Sequence, residues 1–306
     1  MPDIGPALTF SNKIGAVEDQ YTAEVRRVHK DARRELLDIV TFYGIKSPML
    51  KSQIKRVVDQ MGVELQNVGR DQQRKVITYT KKYGQIEFDK MRAYIKTVPQ
   101  FGMVHNRTEP ERRKKLAVLE ETPVWLGAYY AALIGELNRL QNSDEEEAAA
   151  VNRLLSTKIT DGRASTWRKA KNNGELQSGL DLWSVAAGLM GMYFVTGQET
   201  SGTPWSRQVI AAIDENTTDC CLRAHGQIQP VGKPFQLFGT PRFADRMMHT
   251  PFHWRCRTSI ALYHEAMEGI GVTTPQMREA ARAEINARAK TGFRVEIHPA
   301  DSTSGR

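Results

Sequence analysis

The chain predicts a mainly α protein built on long amphipathic helices, with a small irregular α+β unit toward the C-terminus. Three observations point there. Apolar residues in the first half recur at three-and-four spacing, glycine and proline punctuate residues 226–251, and all three cysteines fall in two short segments at 220–221 and 256. With 306 residues the chain is long enough for two domains, and its net charge of +8 suits a protein that meets phosphate backbones or an acidic partner. An ordinary basic soluble protein carries the same balance.

Residues 17–43 read as the first helix: Val17, Tyr21, Val25, Val28, Ala32, Ile39 and Tyr43 keep one stripe, while Arg26, Arg27, Lys30, Arg33 and Arg34 lie mainly off it. Gly44 and Pro48 stop it. Interspersed Glu24, Asp31, Glu35 and Asp38 make that basic face a solvated surface before they make it a DNA-binding one. Further helices are expected over 52–64 and 70–94, with Pro99 closing the region. A basic patch at 110–117 precedes an apolar helix over 123–140, in which Thr122 caps and Pro123 takes an early position. The acidic run 142–147 then opens another helix, its carboxylates at the end the macrodipole favours.

Residues 157–178 are polar and read as a hinge or loop. Residues 180–195 form a buried helix rich in small side chains, interrupted by Asp181 and Ser184 and too short to span a bilayer, which needs about 20 residues. No membrane association is therefore expected, and Met1 to Pro6 lack the pattern of a secretory leader. Short helices are expected over 205–213 and 260–270. An alanine-rich charged helix over 275–290 has a thin apolar stripe suited to a partner subunit or the surface, and residues 301–306 should fray. The corresponding domains are 1–156 (helical), 157–178 (hinge), 179–270 (cassette) and 271–306 (helix and tail).

Special chemistry concentrates in a two-part cassette. Its first part runs from Asp214, Glu215, Asn216, Thr217, Thr218 and Asp219 through Cys220 and Cys221 to His225 and Gly226; its second runs from Thr250 and Pro251 through His253, Arg255, Cys256 and Arg257 to Thr258. Cys221, His253 and Cys256 are soft and borderline ligands, and His225 or Cys220 would complete a four-coordinate zinc site that staples a loop poor in regular pairing. Adjacency of Cys220 and Cys221 argues against both serving one ion. The plainer reading is three small buried cysteines and a histidine bonded to backbone. Asp214 is expected to organise the turn with Thr217 and Thr218, and Arg255 or Arg257 to pair with Asp214 or Glu215. Asp214, Glu215 and Asp219 near His253 would also suit metal-dependent hydrolysis if they converged on an ion.

In order and spacing, Trp205, Asp214, Glu215, Thr217, Cys221, Gly226, Pro251, His253, Cys256 and Arg257 resemble the Mu F-like head morphogenesis (minor head protein) family of tailed bacteriophages. Thr218 and Thr258 stand where many members carry cysteine, and His225 where aspartate is frequent. The resemblance covers residues 200–262. It implies a minor head protein present in few copies in the virion, bound to the portal or the capsid interior, acting in head assembly, DNA packaging or DNA ejection, with packaged DNA as a further partner. On that reading the cassette residues are structural and none is catalytic. Two other classes fit parts of the sequence: a metal-dependent nuclease or toxin-like enzyme, and a zinc-stapled DNA-binding module.

Overall fold

A computed structural model describes residues 5–160, 162–267 and 273–292. Long helices dominate it: α1 Gly5–Tyr43, α2 Leu50–Arg92, α5 Trp125–Gln141 and α7 Thr166–Ser201. Shorter ones are α3 Phe101–Arg107, α4 Glu109–Ala117, α6 Glu147–Leu155, α8 Asp219–Ala224 and α9 Thr274–Thr291. The strands are short: β1 Ile159–Thr160, β2 Arg163–Ala164, β3 Ser206–Ile210, β4 Ile228–Pro230, β5 Phe235–Gln236, β6 Arg246–Met247 and β7 Ser259–Tyr263. The chain is thus mainly α with a small α+β portion toward the C-terminus.

It divides into two compact units, one of Met1–Val17, Arg74–Leu116 and Leu182–Arg306, the other of Glu18–Gln73 and Ala117–Asp181. The linear boundaries expected from composition do not match this division, because α1, α2 and α7 each supply residues to both units. The expected hinge is also shorter: α7 begins at Thr166, so only residues up to Ser165 are loop or hairpin. By length and composition alone α7 could cross a membrane, but 61% of its apolar window is buried, as in a core helix of a soluble protein.

In α2 the helices expected over 52–64 and 70–94 are one. Gly69 does not break it, since a β-carbon there would stand 1.7 Å from the Leu119 carbonyl oxygen. The glycine admits a neighbouring segment, and the helical hydrogen bonds carry on past it.

In the unit that holds the cassette, Phe88, Phe101, Tyr193 and Trp205 form an edge-to-face aromatic core with centroid separations of 5.0 to 5.5 Å. Beside it lies an antiparallel sheet in the order β4-β3-β7. Residues 206–210, expected to be helical, are β3: a strand of five residues covers too little chain for apolar spacing to separate the two periods, and its partners lie 20 and 50 residues downstream. Likewise 259–263 is β7, followed by a single 3-10 turn at Glu265–Met267, and the remainder of the helix expected over 260–270 lies outside the described residues. So does the expected frayed tail at 301–306. Glu87, 1% exposed, ties α2 to this sheet, its carboxylate accepting the Leu262 N–H at 2.7 Å and pairing with Lys90 at 2.7 Å.

α9 packs within this unit, against α8, with Met277 and Ala281 buried and most of its other side chains on the surface. Its start is specified locally: Thr273 and Gln276 form a reciprocal capping box, and proline follows in the first turn.

Candidate metal centre and cassette joint

The sheet explains why two segments more than thirty residues apart meet. β3 ends at Ile210, which is registered with Ser259 at the start of β7. The chain therefore leaves β3 into the first half of the cassette at the same end of the sheet where the second half enters β7.

The intervening loop is held by Arg207, a 3% exposed arginine whose guanidinium donates to the Met248 carbonyl at 2.5 Å and the Lys233 carbonyl at 2.6 Å. It also lies 4.9 Å from the Phe235 ring centroid. Burial pulls its pKa down to about 10.

At the polar side of the joint, the Arg257 guanidinium donates to the Asp214 carboxylate at 2.6 Å. That carboxylate also receives the Asn216 N–H and the Thr217 hydroxyl, each at 3.0 Å. Burial opposes ionisation, but Arg257, Thr217 and Asn216 together hold the Asp214 carboxyl below the usual carboxylate range. From α9, Arg288 donates to the carbonyls of Thr217 at 2.5 Å and Asp214 at 2.7 Å. Arg288 carries no signal in the sequence, since nothing there says that α9 returns to the cassette.

On the buried side, Cys220 and Cys221 sit in the first turn of α8 and His253 comes from the second half; their ligand atoms all lie within 4.8 Å of one another. The Cys221 sulfur is 3.1 Å from His253 Nε2, 3.7 Å from the Cys256 sulfur and 3.9 Å from the Cys220 sulfur. His253 Nδ1 lies 2.6 Å from the Trp254 carbonyl, which only accepts, so Nδ1 carries the proton and Nε2 turns its lone pair toward Cys221 and the Thr218 hydroxyl, 2.9 Å away. This is the orientation a metal-binding histidine adopts when its second nitrogen is fixed by a carbonyl. Arg255, between His253 and Cys256, has φ 55, a left-handed turn unusual for a residue with a side chain.

This group could hold a metal ion. It differs from the expected set: Cys220 belongs to it despite its adjacency to Cys221, whereas His225 and Cys256 do not, although the Cys256 sulfur touches that of Cys221. His225 Nδ1 instead accepts the Ala211 N–H at 2.9 Å, and burial pulls the ring to about 4, keeping it neutral. Thr218, not singled out as a site residue, lines the cluster. Burial pushes the Cys221 and Cys256 thiols far above the ordinary thiol range, so as free thiols they are protonated and weakly nucleophilic.

The other cassette residues take varied places. Trp205 is buried against Phe88 at 5.5 Å, Pro251 is buried, and Glu215 is exposed. Asp219 pairs with Arg223 at 2.7 Å. Gly226 has φ 75 and sends its N–H to the Val209 carbonyl, and a β-carbon there would lie 3.1 Å from Met277. Glycine is what the turn needs and what α9 leaves room for. Comparison with known proteins finds no match to this chain among family models, curated proteins or solved structures.

Proposed function

We propose that this chain is a minor head protein of the Mu F-like type, carried at the portal vertex or capsid interior of a tailed phage and acting in head morphogenesis, DNA packaging or DNA ejection. The observation that supports this is the closure of the two cassette segments on each other through Asp214–Arg257 and Cys221–His253. Those are the segments whose order and spacing carry the resemblance. Asp214 is committed to Arg257 and Asp219 to Arg223, which favours a structural over a hydrolytic use of these carboxylates. Interrupting the gene in its phage tests the proposal. The expected result is a large loss of infectious, DNA-filled heads; an unchanged yield overturns it.

Zinc is the metal we propose for Cys220, Cys221 and His253, with Cys256 as a further donor. A tetrahedral zinc with sulfur ligands at about 2.3 Å and nitrogen at about 2.0 Å separates neighbouring sulfurs by roughly 3.8 Å and sulfur from nitrogen by roughly 3.5 Å. The Cys220–Cys221 and Cys221–Cys256 sulfur spacings of 3.9 and 3.7 Å fit, the 3.1 Å sulfur–nitrogen approach needs a small opening, and Cys256, outside the group of Cys220, Cys221 and His253, has to shift inward to serve as the fourth donor. Elemental analysis should find about one zinc per chain, lost with much of the thermal stability in Cys221→Ser and retained in His225→Gln. Absence of zinc, with Cys221→Ser as stable as the parent, would contradict the assignment.

A further inference from the structure

Away from the cassette, in the unit formed by Glu18–Gln73 and Ala117–Asp181, a cleft of about 580 Å³ opens between α5, α6, the β1–β2 hairpin and the start of α7. Its walls carry Arg139, Arg153, Lys158, Arg163 and Lys169. Two carboxylates answer them. Glu136 holds Arg139 at 2.7 Å, and Glu145 holds Arg153 at 2.5 Å. Lys158, Arg163 and Lys169 are exposed and have no ion pair among the described residues. The named cleft side chains therefore leave three positive charges uncompensated.

The start of α7 points the same way. A helix N-terminus favours acidic side chains, yet the first turn of α7 has none and carries Arg168, which donates to the Thr157 carbonyl at 2.8 Å, and Lys169 instead. Ser165 caps it, accepting the Arg168 N–H at 3.1 Å. A helix that opens with cations gains from an anion bound beside them.

The lining also limits what that anion is. Among the described residues no aromatic ring lines the cleft and its apolar share is two alanines, Ala149 and Ala164, so none of them stacks on a base or grips a sugar. Its volume exceeds what one small anion fills, since a water molecule takes about 30 Å³.

We propose that this cleft binds phosphate groups, as consecutive phosphates of a nucleic-acid strand or as a free polyphosphate, without reading base sequence. The proposal goes beyond the minor-head reading and does not rest on it.

The test uses the full chain, a fluorescent 20-base-pair DNA duplex and inorganic tripolyphosphate. Lys158→Gln, Arg163→Gln and Lys169→Gln are combined in one variant. A control combines Lys30→Gln, Lys51→Gln and Lys96→Gln, exposed cations elsewhere with the same total charge. Strand binding predicts at least a tenfold weaker duplex affinity for the cleft variant only, and a shallower log–log salt slope by about 2.7, from about 0.9 per lost phosphate contact. Tripolyphosphate bound by the parent and not the cleft variant, without duplex binding, supports the cleft with a free polyphosphate as its ligand. Equal losses in cleft and control variants, or binding of neither probe by the parent, overturn the proposal. Thermal melts of both variants confirm that the substitutions act on binding and not on folding.

Discussion

His29 is fully buried among three aromatic rings, with Trp125 at 5.5 Å, Tyr129 at 5.2 Å and Trp167 at 5.7 Å between centroids. Neither of its ring nitrogens has a hydrogen-bond partner among the described residues. Burial pulls its pKa from 6.5 to about 4, with Glu175 opposing and Lys171 reinforcing the shift. The folded state therefore refuses a proton that the unfolded chain accepts. Stability is fully present above about pH 6.5 and falls as pH drops toward 4, by at most about 3 kcal/mol from this group. Urea melts at pH 7, 5.5 and 4.5 should show His29→Phe losing less stability on acidification than the parent; parallel profiles would contradict the assignment. Single residues were legible where their chemistry admits few uses. Asp214, Arg257, Cys221 and His253 stood out by type and order, and the fold brings them together in the Asp214–Arg257 and Cys221–His253 contacts. His225 misled because a histidine near a cysteine is as readily a backbone acceptor, and only the fold around Ala211 decides between the two.

Among the elements, the long helices were legible because their apolar stripes persist over many turns, whereas β3 and β7 were not. Each spans five residues and exists through pairing with the other, an interaction between positions about 50 apart that local pattern does not contain. Glycines show the same division. Gly69 and Gly135 are both helical, but a β-carbon at Gly69 would run into the Leu119 carbonyl and one at Gly135 would meet nothing within 4 Å. Gly69→Ala should therefore destabilise by about 1–3 kcal/mol, while Gly135→Ala should stabilise by up to about 1 kcal/mol. Chemical denaturation measures both. Stabilisation by Gly69→Ala would show that the approach of Leu119 to α2 is looser than described.

Over the whole molecule, the mainly α class followed from periodicity and the irregular C-terminal portion from its glycines and prolines, but the placement of its strands and the division into units did not. Both units are assembled from segments distant in the chain, so no shift in composition marks their borders. On the proposed function, the cassette whose halves close through β3 and β7 belongs to a head component. The most direct measurement is quantitative mass spectrometry of gradient-purified, nuclease-treated phage particles from a host lysate carrying the gene. It should find the chain at low copy relative to the major capsid protein, and markedly depleted when Asp214→Ala and Arg257→Ala open the joint. Particles that are infectious, filled with DNA and devoid of the chain, with the protein abundant in the surrounding lysate, would contradict the account.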